Sequence, residues 1–91
     1  MADATDRIDE AIRLHGEALE ALDEGDLTRA RACGAAALTL FEEESGDSHP
    51  DVANVLNCLA RIDEHAARYD DAERQARRSA EIMRRVRQQA S

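Results

Sequence analysis

The chain has 91 residues, one Tyr, one Phe, no Trp and a formal net charge of −8, with charged side chains making up 35% of it. That length allows one domain (1–91) with a modest core and leaves no room for a separate catalytic domain. An inventory led by Ala, Leu, Glu and Arg favours helix over sheet, so the expected class is all-α, and the acidic balance opposes the basic face that nucleic acid would need.

Apolar residues recur at helical spacing through Ile8, Ile12, Leu14, Ala18, Leu19 and Leu22, and the run stops at Gly25, which predicts a first helix over about 5–24. A second periodic stretch follows Asp26 through Leu27, Ala30, Cys33, Ala37, Leu38, Leu40 and Phe41 and dissolves at Ser45-Gly46-Asp47-Ser48. Pro50, the only proline, suits the first position of a third helix, where no N–H partner is needed, and Asp51 suits the positive end of the helix dipole. That helix, about 50–66, is expected to bury Val52, Val55, Leu56, Leu59 and Ile62. A fourth, about 70–88, places Ala72, Ala76, Ala80, Met83 and Val86 on one side. Short connectors make the four helices two tandem antiparallel hairpins, about 5–45 and 50–88.

Charge is unevenly spread. Residues 1–51 hold fourteen acids and four Arg, net −10, and residues 52–91 hold six acids and eight Arg, net +2. No apolar run approaches the length of a bilayer span, and acids stand where a secretory leader would be basic and then apolar, so a cytoplasmic location is expected and a membrane partner is not. Cys33 and Cys58 fall in apolar-periodic segments, which reads as reduced core thiols.

Little here suits catalysis or metal binding. Cys58 and His65, seven positions apart, lack a second close ligand pair, and Cys33 has no glycine-rich turn beside it. The acid pairs Asp63-Glu64 and Asp70-Asp71 are read as solvated helix charges. No metal, no cofactor and no enzymatic activity are therefore expected. More informative is the row Asn54, Asn57, Arg61 and His65, whose spacings of three, four and four place all of them on one face of the third helix, opposite Val55, Leu59 and Ile62. Asn gives up helix propensity, so its repeated use there suits a binding face, although an ordinary solvated face would look the same.

Shifting the sequence by 42 positions superposes Leu14 on Leu56, Ala18 on Ala60, Ala30 on Ala72 and Phe41 on Met83. A fixed period with one hairpin per unit is the pattern of a solenoid, and the paired alanines let the helices of each hairpin approach closely. With Gly46-Asp47-Ser48-His49-Pro50-Asp51-Val52-Ala53, Leu56-Asn57, Leu59-Ala60 and Tyr69-Asp70-Asp71-Ala72-Glu73, the chain resembles the tetratricopeptide repeat family, in particular its longer repeats of the kinesin light chain type. It departs from the family pattern at Glu17, where an apolar residue is expected, at Gly34 and Ala76, where a large aromatic is usual, and at Asp63, where Tyr is common. The resemblance implies a protein-interaction module in which Ile12, His15 and Leu19 of the first helix and Asn54, Asn57, Arg61 and His65 of the third line a groove for a partner peptide or helix. The competing expectation is an end surface, Ala76, Ala80, Met83 and Val86, that drives self-association or packing onto further repeats.

Overall fold

Caps mark the starts of the first three helices. The computed structural model describes residues 3–90 and contains α1 (Ala4–Glu24), α2 (Leu27–Ser45), α3 (Pro50–His65) and α4 (Tyr69–Ala90), with no strand among the described residues. At the start of α1, Asp6 N–H donates to the Asp3 carboxylate at 2.9 Å and Asp3 N–H donates back to Asp6, which satisfies two donors the helix leaves open. Asp26 caps α2 by accepting from Arg29 N–H at 3.2 Å, and His49 caps α3 through Nδ1, which accepts from Asp51 N–H at 3.1 Å one residue after Pro50. Between α2 and α3 the chain reverses at Gly46, whose φ of 87° and ψ of 164° form a combination open only to glycine.

The turns inside the two hairpins are the same turn. Gly25 and Ala67, 42 positions apart, both adopt left-handed backbone, with φ of 79° and 61°. Asp26 N–H reaches back to Ala21 C=O at 2.9 Å, and Arg68 N–H reaches back to Asp63 C=O at 2.7 Å, the same bond at the same offset. The sequence shift is therefore repeated in the backbone. Ala18, Ala30, Ala60 and Ala72 are all buried, as close helix pairing within each hairpin requires.

The molecule is a slab whose Cα atoms span 36 × 35 × 16 Å. The thickness holds two helix layers. α3 occupies the centre and packs on all three other helices, which explains why it buries Val52, Ala53, Val55, Leu56, Cys58, Leu59, Ala60, Ile62 and Asp63, while the longer α1 buries only Ala11, Ala18, Ala21 and Leu22. Its approach to α2 depends on Gly34, because a Cβ there would stand 2.8 Å from Leu59 Cδ2. Two ion pairs tie α2 directly to α4, Arg78 to Glu42 at 2.7 Å and Arg31 to Asp71 at 3.8 Å.

Two expectations need correction. The inward stripe of α4 is Ala72, Ser79 and Ile82, flanked by half-buried Gln75, Met83 and Val86, whereas Ala76 and Ala80 are exposed. The alanine spacing alone gave the wrong angle, because a small side chain is compatible with either face and Ser79 hides its polarity by donating its hydroxyl to Ala53 C=O at 2.8 Å. Asp63, read as a solvated charge, is 0% exposed. Cys58 is buried and Cys33 half-buried, and both thiols are free.

Candidate functional site

Seven residues expected to line a groove occupy two rows, one on α1 and one on α3. Ile12, His15 and Leu19 precede Asn54, Asn57 and Arg61 by 42 positions each, so the rows are the same positions of two successive hairpins and share one face of the slab. On α1 the row is largely apolar and open, with Ile12 57% and Leu19 37% exposed, the only large aliphatic side chains so uncovered among the described residues. On α3 all four of Asn54, Asn57, Arg61 and His65 are exposed, and His65 ends the helix, where a cation would suit the dipole. The α1 row is thus mostly apolar, and the α3 row consists of side chains that hydrogen-bond or carry charge.

Charge and burial act on single groups near each row. His15 is half-buried, and burial holds its imidazole below the usual value, while the Asp51 carboxylate at the start of α3 pulls the other way. Beneath the α3 row, burial pushes the Cys58 thiol up and the Arg61 guanidinium opposes that shift. Arg61 has a further property. Among the described residues ten of the twelve guanidiniums lie within an ion pair of a carboxylate, and Arg61 and Arg87 do not. In so acidic a chain, an exposed unpaired Arg on the same helix face as two exposed Asn is a group able to meet an anion.

The family model for the tetratricopeptide repeat matches residues 21–85. The chain belongs to the tetratricopeptide repeat family. No curated protein and no solved structure matches it. Tetratricopeptide repeats are protein-interaction modules, and the four-helix, strand-free architecture described above agrees with that assignment.

Within this tetratricopeptide frame, Asp63 is the residue whose surroundings the sequence did not disclose. It lines an inter-repeat hollow of about 500 Å³ with Leu27, Arg31, Ala35 and Arg68, and neither carboxylate oxygen has a hydrogen-bond partner. Arg31 Nη2 stands 3.4 Å from Oδ1 and divides itself between Asp63 and Asp71. The available signal was the repeat itself, since Asp63 falls 42 positions after Ala21, which is fully buried. A second departure, Glu17, is half-buried and held by Arg13 at 3.1 Å, with the Cys33 thiol 3.6 Å from its carboxylate. Of the four residues expected to form an end surface, Ala76 and Ala80 are open, whereas Met83 and Val86 pack partly against the chain's own core. No group of three metal-ligating side chains gathers among the described residues, and no described helix is long and apolar enough to cross a membrane.

Proposed function

We propose that the α1–α3 face is a groove that captures a short segment of a partner protein, with no chemistry performed on it. Asn54 and Asn57 offer amides to the backbone of that segment, Arg61 takes a carboxylate from it, and Ile12 and Leu19 seat an aliphatic side chain. His15 stands within the α1 row and His65 ends the α3 row. The observation that carries this reading is Arg61, exposed and unpaired in a chain whose net charge is −8. The free thiols of Cys33 and Cys58 suit a reducing setting such as the cytoplasm.

A displayed library of random peptides selected on the full chain tests this. Enriched sequences are expected to carry an acidic group near an aliphatic one, and to lose at least tenfold in affinity on Asn57→Ala plus Arg61→Ala while the melting temperature stays put. Peptides that bind the double variant equally well sink the groove.

A second reading is homo-association through α4, favoured by exposed Ala76 and Ala80 beside half-buried Met83 and Val86. Sedimentation of the wild type against Met83→Glu plus Val86→Glu decides it, since a concentration-independent monomer removes this surface.

A further inference from the structure

The chain contains both a filled and an open copy of one socket. In the first hairpin, the surface between α1 and α2 that includes Ala18, Leu22, Ala30 and Gly34 is covered by α3, and all four residues are buried. Two contacts fix how α3 sits there. Leu59 enters at Gly34, and Asp63, four residues further along α3, meets Arg31 at 3.4 Å. Moving each socket residue by 42 positions gives Ala60, Glu64, Ala72 and Ala76, with Glu73 in the place of Arg31. Ala60, Glu64, Ala72, Glu73 and Ala76 all line one hollow of about 360 Å³ between α3 and α4, and no described helix covers it. Exposure follows the same difference, because Leu22 is buried where Glu64 is exposed, Gly34 is buried where Ala76 is exposed, and Tyr69 at the rim is 67% exposed where Leu27 is half-buried.

We propose that this second socket binds an amphipathic helix of a partner protein, lying parallel to α3's own direction in the first socket. The partner helix carries an aliphatic side chain and, four residues later, an Arg or Lys. The aliphatic residue follows from the floor: Ala60 and Ala72 repeat Ala18 and Ala30, and Ala76 adds a single Cβ to the place of the Gly34 that Leu59 enters, so the floor stays small and apolar and the incoming helix rides slightly higher than α3 does. The basic residue follows from the inversion of charge at the rim, where the Arg31-to-Asp63 contact of the filled socket becomes Glu73 facing the equivalent position of the incoming helix. Glu64 adds a second carboxylate that meets no cation among the described residues, and Glu73 is paired only with Arg77, one turn away on its own exposed helix face. Such a surface pair is readily exchanged for a new partner. Of the four α4 residues considered for self-association only Ala76 lines this hollow, and the proposal does not depend on the groove reading.

The test uses two stapled helical peptides corresponding to residues 50–66, one native and one carrying Asp63→Arg, titrated into the full chain by fluorescence anisotropy. Asn57 and Arg61 border both surfaces, so neither is varied. The Asp63→Arg peptide is expected to bind the wild type about fivefold more tightly than the native peptide, the order expected for one exposed charge pair gained and one repulsion removed. On the Glu73→Arg chain the preference reverses. Ala76→Phe fills the floor at an exposed position and is expected to weaken both peptides at least tenfold, with the melting temperature of the chain unchanged. Equal affinities of the two peptides, a preference that ignores Glu73→Arg, binding that survives Ala76→Phe, or no binding of either peptide would each overturn the proposal.

Discussion

The two hairpins share one register and one turn, yet they use it in opposite ways. The first hairpin has an apolar outer row and a covered socket, and the second has a polar outer row and an open one. Burial follows position rather than composition. α3 is shorter than α1 and buries more because it has a neighbour on three sides, while α1 leaves Ile12 and Leu19 in the open. In a repeat protein the same position therefore costs different amounts in different units, and equivalent substitutions measure that difference directly.

The largest contrast is expected in the core. Leu56 is buried and its counterpart Leu14 only half-buried, so Leu56→Ala should cost about 2–5 kcal/mol and Leu14→Ala roughly half as much, read by urea denaturation. Equal losses would mean that the hairpins are more alike than their neighbours suggest. Next come the alanines at the helix crossings. Ala18→Leu, beneath α3, should cost about 3 kcal/mol by overpacking, and Ala60→Leu about 1 kcal/mol, because the added carbons can lean into the open socket. A full-sized loss at Ala60 would show that the open face does not yield.

Asp63 sharpens the comparison in the other direction. A buried carboxylate with no hydrogen bond and a shared guanidinium is a net burden in a position whose counterpart is Ala21, so Asp63→Leu should stabilise the chain by about 1–2 kcal/mol. Arg31 keeps Asp71 as a partner in that variant. A destabilised Asp63→Leu would mean that the ion pair outweighs the desolvation of its acid.

Acid is expected to separate the hairpins as well. Burial lowers His15 from 6.5, so the unfolded chain takes up a proton there before the folded one does. Stability from this residue is thus fully present above about pH 6.5 and falls as the pH drops through the lowered folded value. Asn57 occupies the matching place, and His15→Asn should flatten the melting temperature between pH 7 and pH 5, a region where few other side chains titrate. An unchanged slope would assign the acid sensitivity elsewhere.

Much of this was legible in the sequence, for identifiable reasons. Gly25, Gly46 and Pro50 punctuate the chain so firmly that all four helices fall within two residues of their expected bounds. The α3 row was legible because Asn at helical spacing opposite Val55, Leu59 and Ile62 fixes a face without reference to any neighbour. The angle of α4 was not, since Ala76 and Ala80 do not report which way they face and the covering residues include Ser79 and Ile82. Nor was the burial of Asp63, which sits beside Glu64 and owes its surroundings to Arg31, a residue about a third of the chain earlier.

The smallest and most local contrast is at the turns, where one hairpin uses Gly and the other Ala for the same left-handed residue. An L side chain in that region costs about 1–2 kcal/mol, while a glycine costs about 0.5–1 kcal/mol through the freedom it adds to the unfolded chain, so glycine keeps a small advantage. Ala67→Gly should therefore stabilise by about 0.5 kcal/mol and Gly25→Ala destabilise by a similar amount. Space does not interfere with the second change, because a Cβ at residue 25 would meet nothing within 4 Å. The effect is then backbone alone. Urea titrations of the two single variants and of the double one check it: the shifts should be opposite in sign and nearly cancel when combined, since the turns lie in different hairpins. A destabilised Ala67→Gly would break the equivalence of the two turns, and with it the shift that relates the open socket to the filled one.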